Sequence, residues 1–196
     1  MKRILVIALI ISIIWGIRNC SGKVTLGPGV MVNDVPVQEE IKSPISFNHL
    51  GFKITKVANF KIKAKVLARE DYYFDRGADL APVDLALGWG RMSDESILEQ
   101  INITQSGRFY RWRVKSFPIP RREIETHSAN MHLIPADKYV QYLIDDIREG
   151  EIIELTGSLV NVQSKEGWYW NSSLTRNDTG NGACELIWVE SLSVLK

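Results

Sequence analysis

The sequence predicts an α+β fold that is mainly β: a small, strongly curved sheet or a five- or six-stranded barrel, with one or two packed helices and an N-terminal hydrophobic helix ahead of it. Three observations lead there. Phe60, Ile62, Ala64 and Val66 alternate with Lys61, Lys63 and Lys65, and Tyr110, Trp112 and Val114 alternate with Arg111 and Arg113, the period of two of half-buried strands. An apolar stretch from Ile152 to Val162 is interrupted by Gly157, where a sheet bends or bulges. The clearest helical stripe, Val140, Leu143, Ile144 and Ile147 within Ala136 to Glu149, ends at Gly150.

At 196 residues, 45% apolar and 24% charged, the chain holds one domain with a full core. The start departs from that composition. Lys2 and Arg3 precede an apolar run from Ile4 to Ile17, closed by Arg18. As a helix these 14 residues rise about 21 Å, short of the roughly 30 Å hydrocarbon core, which fits a signal-peptide core better than a full span. Three outcomes stay open, in this order: an uncleaved anchor, a cleaved secretory signal, and a lipid-anchored Cys20. All three export the domain, and Lys2 and Arg3 favour a cytoplasmic N-terminus. The expected organisation is a signal or anchor segment over 1–22, a linker rich in Gly and Pro over 23–44, and one globular domain over 45–196. The expected location is the inner membrane, touched through residues 4–17, with the domain facing the periplasm or cell exterior.

Beyond residue 22 there are 21 basic and 23 acidic residues, a formal charge of −2, which argues against a nucleic-acid partner. Residues 52–57 and 60–68 read as a strand pair or one long bent strand with its lysines in solvent. Arg69 to Gly90 reads as irregular; its aspartates, Asp71, Asp75, Asp79 and Asp84, match no calcium-loop spacing. Ser93 reads as the cap of a helix running to about Gln100, Phe109 to Val114 as a strand, and Arg121 to Glu125 as one helical turn. Strands at 152–162, 168–173 and 184–194 complete a meander. A long strand broken by one glycine, short connections and a single packed helix favour a barrel of the oligonucleotide/oligosaccharide-binding (OB) type, with an open sheet as the alternative.

The blocks Asp84-Leu-Ala-Leu-Gly-Trp-Gly-Arg-Met, Ser128-Ala-Asn-Met-His-Leu-Ile-Pro-Ala-Asp and Ser173-Leu-Thr-Arg-Asn-Asp-Thr-Gly-Asn-Gly-Ala-Cys-Glu resemble those of a family of uncharacterised bacterial proteins with an N-terminal hydrophobic segment. The resemblance spans about Phe52 to the end. It implies a bacterial, envelope-located protein and supplies no activity, cofactor or catalytic residue.

The polar stretch Ser172 to Glu185 holds more charge and hydroxyl groups than a turn requires. Arg176 and Asp178 in it, with Trp168 and Trp170 beside it, are the candidate ligand-binding residues. Trp168, Tyr169, Trp170 and Trp188 flank the stretch as an aromatic platform suited to a saccharide, a peptide or an envelope protein. The preferred reading is therefore a membrane-tethered extracytoplasmic binding or assembly module. The alternative is an envelope hydrolase of phosphodiesters or esters, with His132 as general base, Arg176 stabilising developing charge and Asp178 or Glu185 orienting the imidazole. A thiol variant with Cys184, His132 and Asp178 ranks below it, because no helix N-terminus activates Cys184. No metal or cofactor is expected.

Overall fold

The computed structural model describes residues 22–29, 31–175, 180 and 182–196; the hydrophobic segment and the pair Arg176 and Asp178 lie outside the described residues. In chain order the strands are β1 (Val37–His49), β2 (Phe52–Asp71), β3 (Val83–Gly88), β4 (Ile101–Ser106), β5 (Phe109–Val114), β6 (Ser128–Pro135), β7 (Ile152–Gln163), β8 (Tyr169–Asn171) and β9 (Glu185–Val194). The helices are α1 (Glu95–Leu98), α2 (Arg121–Thr126) and α3 (Lys138–Asp145). The protein is mainly β, with few helices.

Strand β2 pairs with β3 on one edge and β7 on the other, β3 pairs with β6, β6 runs parallel to β9, and β9 returns antiparallel to β7. Pairing therefore runs round a closed circuit of five strands. Strand β1 extends β2 outside that circuit, and β8 extends β7. Alternate side chains, among them Phe60, Ile62, Leu85, Leu133, Leu155 and Ile187, fill the inside, each contributing about 1.5–3 kcal/mol by leaving water.

Curvature of this kind needs places where backbones meet closely. At Gly157 the register between β7 and β9 shifts, and a Cβ there would overlap the Trp188 carbonyl. Strand β2 is one continuous strand with register shifts at Lys56/Ala58 and Val66/Ala68, so it serves two neighbours while bending. Helix α3 begins at Asp137, whose carboxylate accepts from the amides of Tyr139 and Val140, and it turns Val140 and Ile144 to the core.

Four stretches differ from their sequence reading. Val83 to Gly88, expected as irregular, is β3, buried along its whole length; burial on both faces removes the alternation that marks a strand. Ile101 begins strand β4 rather than closing a helix, and the short α1 before it is capped by Asp94, whose carboxylate accepts from the amide of Ser96, rather than by Ser93. Lys65 does not join Lys61 and Lys63 in solvent: it is fully buried, with Nζ 2.7 Å from Glu95 Oε1.

The same Glu95 accepts from the amides of Leu26 (2.7 Å) and Gly27 (2.6 Å), and Val24 donates to the Glu149 carbonyl at 2.8 Å. Residues expected as linker are thus strapped to the barrel, and 37–44 belong to β1. Among the described residues no helix is long and apolar enough to cross a membrane.

Candidate functional site

The alternation that turns Leu85, Met131 and Leu133 inward turns Asp84, Asn130 and His132 outward on β3 and β6, where Asp84 and His132 face each other in register. Asp84 is fully buried. Its Oδ1 accepts from Arg108 Nη1 at 2.8 Å and stands 2.8 Å from His132 Nδ1, while Oδ2 takes a longer bond of 3.4 Å from Asn130. The His132 contact is close yet lacks hydrogen-bond alignment.

Arg108 sits at the β4–β5 turn with φ 69°, in the left-handed region, and spreads its guanidinium over the outer face of the barrel. Nε and Nη2 grip Asp75 at 2.9 and 3.0 Å, and Nη1 also donates to the Ala81 carbonyl at 2.8 Å. The guanidinium carbon lies 3.7 Å from the Tyr72 ring centre, and the Tyr72 hydroxyl accepts from the Arg108 amide at 2.9 Å. Burial, then the neighbouring Asp84 charge, pushes the Tyr72 phenol up to about 12. Burial opposes the charge of Asp75, but the hydrogen bonds and charge of Arg108 hold its carboxyl below the ordinary value. The β4–β5 hairpin is thereby pinned across the face that bears His132.

Beside this cluster opens a cleft of about 550 Å³. Asp75 to Gly77 form one wall, Trp168 to Asn171 the other, and Arg108, Phe109, His132 and Cys184 complete it. The His132 and Trp170 ring centres are 4.6 Å apart, and Trp168 lies 5.9 Å from Trp170. Gly77 permits this arrangement, since a Cβ there would press on the Trp170 ring at 2.8 Å.

The loop between Ser172 and Glu185 does not join two hairpin arms lying side by side. Strands β8 and β9 follow one another along the same edge of β7, Asn171 opposite Asn161 and Ile187 opposite Leu159, so the polar stretch is an excursion from one interrupted strand. Its base is tied by Ser173 donating to the Cys184 carbonyl and by Leu186 donating to Ser172 Oγ, both at 3.0 Å.

Of the residues singled out from sequence, His132, Trp168, Trp170 and Cys184 share the aromatic cleft. Glu185 is buried and borders a neighbouring cleft, with Cys184 between the two. Trp188 is packed under β1, edge-on to Phe47 and His49 at 4.8 Å each. Arg176 and Asp178 lie outside the described residues.

No family model, curated protein or solved structure matches the chain. Among the described residues no group of three or more His, Cys, Asp or Glu is arranged to hold a metal ion.

Two participants escaped the sequence reading. A lone Asp84 inside the apolar run Ala81 to Leu87 was a legible sign, because a carboxylate on a buried strand requires a partner. Arg108 carried no such sign: its role comes from where the hairpin lands.

Proposed function

We propose that this protein is a membrane-tethered binding or assembly module of the bacterial envelope, exported by its hydrophobic segment, with the aromatic cleft as its ligand site. The barrel is read as OB-type. Supporting that architecture are the strand order round the circuit, the parallel β6–β9 pair, and α3 between the third and fourth circuit strands.

In that architecture ligands lie over the second and third strands, between the loops that follow strands one and four. Here those strands are β3 and β6, and the two loops carry Asp75 to Gly77 and Trp168 to Asn171, the walls of the cleft. This coincidence is the observation that carries the reading. Two indoles and a phenol beside hydrogen-bonding groups suit a sugar ring or a peptide. The formal charge of −2 beyond residue 22 disfavours nucleic acid.

The test uses the full chain in neutral-lipid nanodiscs, titrated with envelope-derived glycan fragments and with short peptides while tryptophan emission is followed. Saturable quenching that Trp170→Ala abolishes supports the reading, and no saturable response to either class removes it.

A second reading is an envelope hydrolase. The observation favouring it is the buried Asp84 carboxylate 2.8 Å from Nδ1 of His132, itself a lining residue of the aromatic cleft, where Asp178 or Glu185 was expected from the sequence. Turnover of phosphodiester or ester substrates that disappears in His132→Ala would favour this reading over simple binding.

A further inference from the structure

From Gln100 to Arg122 the chain has six basic residues, Arg108, Arg111, Arg113, Lys115, Arg121 and Arg122, and no acidic one, although the whole chain is close to neutral. The fold gathers half of them. Strand β5 alternates so that Phe109, Arg111 and Arg113 are exposed on one face, and α2 brings Arg121 alongside. These three arginines line the second cleft, of about 450 Å³, on the far side of Cys184 from the aromatic one.

Among the described residues two acids line it. Glu125 is already engaged by Arg121 at 2.8 Å and approached by Arg122 at 3.8 Å, and Glu185 is buried. Arg113 makes no hydrogen bond or ion pair among the described residues. Arg111 donates to the Ser106 carbonyl (3.3 Å) and Oγ (3.2 Å) and lies near the Phe109 ring, with no acidic partner among the described residues. Like-charged guanidiniums converging on one concavity raise the potential there and attract anions. Their planar, forked donors match phosphate oxygens better than a single carboxylate.

We propose that this second cleft binds a phosphate-bearing anion, held by Arg111, Arg113 and Arg121. The site is separate from the aromatic cleft and does not depend on what that cleft takes. The phosphate arrives either on a soluble ligand or on the headgroup of an anionic lipid beside the tether.

The experiment titrates inorganic pyrophosphate into the full chain in zwitterionic nanodiscs, read by calorimetry, and repeats it in nanodiscs containing phosphatidylglycerol. Saturable binding is expected, weakened about tenfold or more in Arg111→Gln/Arg113→Gln, roughly 1.4 kcal/mol, and unchanged in Trp170→Ala. Both arginines are exposed, and an unshifted melting temperature confirms that the double variant folds. Competition by phosphatidylglycerol assigns the phosphate to a lipid headgroup; indifference to it assigns it to a soluble ligand. The proposal is overturned by an absence of saturable pyrophosphate binding, by binding that survives the double substitution, or by binding of single-stranded oligonucleotide without pyrophosphate.

Discussion

Replacing Arg108 by alanine removes the clamp that holds the β4–β5 hairpin on the barrel, and the size of the loss follows from which partners are left behind. The two bonds to Asp75 are partly exposed and contribute about 0–1 kcal/mol together. The bond to Asp84 differs in kind, because that carboxylate is wholly buried and keeps only a long contact from Asn130 and the approach of His132. Stranding one member of a buried pair costs about 3–5 kcal/mol. Alanine retains a Cβ, so the left-handed backbone at this position is strained in both proteins and cancels.

A fall in melting temperature of about 10 °C is expected, at about 2–4 °C per kcal/mol for a chain of this size. The decisive assay is a double-mutant cycle by urea unfolding of the full chain in detergent. With Asp84→Asn already present, the same truncation should cost only about 1 kcal/mol, since no buried charge is left uncompensated. Costs that add to within about 0.5 kcal/mol would refute the clamp.

Glu95 supplies a pH dependence. Burial disfavours its charge, yet the Lys65 ammonium and the amides of Leu26 and Gly27 hold its carboxyl below the ordinary value. A lowered folded-state pKa means stabilisation that is complete above the unfolded value of about 4.3 and lost as pH falls through the folded one. Between about pH 7 and 5 the Glu95 contribution is fully present and adds no pH dependence to the melting temperature, which should drop below about pH 4, less steeply in Glu95→Gln/Lys65→Met; equal slopes would contradict this. Gly157→Ala forces a methyl into the Trp188 carbonyl and should cost about 3 kcal/mol or prevent soluble expression, measured by denaturant unfolding. Gly77→Ala presses on the Trp170 ring and makes only an ordinary contact with Asp75 Oδ1 at 3.4 Å, so it should leave stability within about 1 kcal/mol while shifting the tryptophan emission spectrum and weakening ligand binding at the aromatic cleft.

What could be read in advance was whatever leaves a local trace. The alternation in β2 and β5, the bend at Gly157 and the stripe of α3 are each set by neighbours within a few residues. Strand β3 left none, since both of its faces are covered. Lys65 repeats the spacing of Lys61 and Lys63, but the segment bearing Glu95 returns thirty residues later to cover it. The site divides in the same way. Trp168 and Trp170 announce themselves by composition and His132 by chemistry, whereas Arg108 joins them only because a hairpin inserted between β3 and β6 folds back over both.

The last stave of the barrel is also its keystone. Strand β9 lies between β6 and β7, so a polypeptide stopped short of Glu185 would hold two raw edges apart with nothing to bridge them. Emerging N-terminus first, whether from a ribosome or a translocation channel, such a chain keeps those edges unpaired until β9 is delivered. Both clefts are lined by Cys184, at the entry to β9, so neither is complete before that strand is in place.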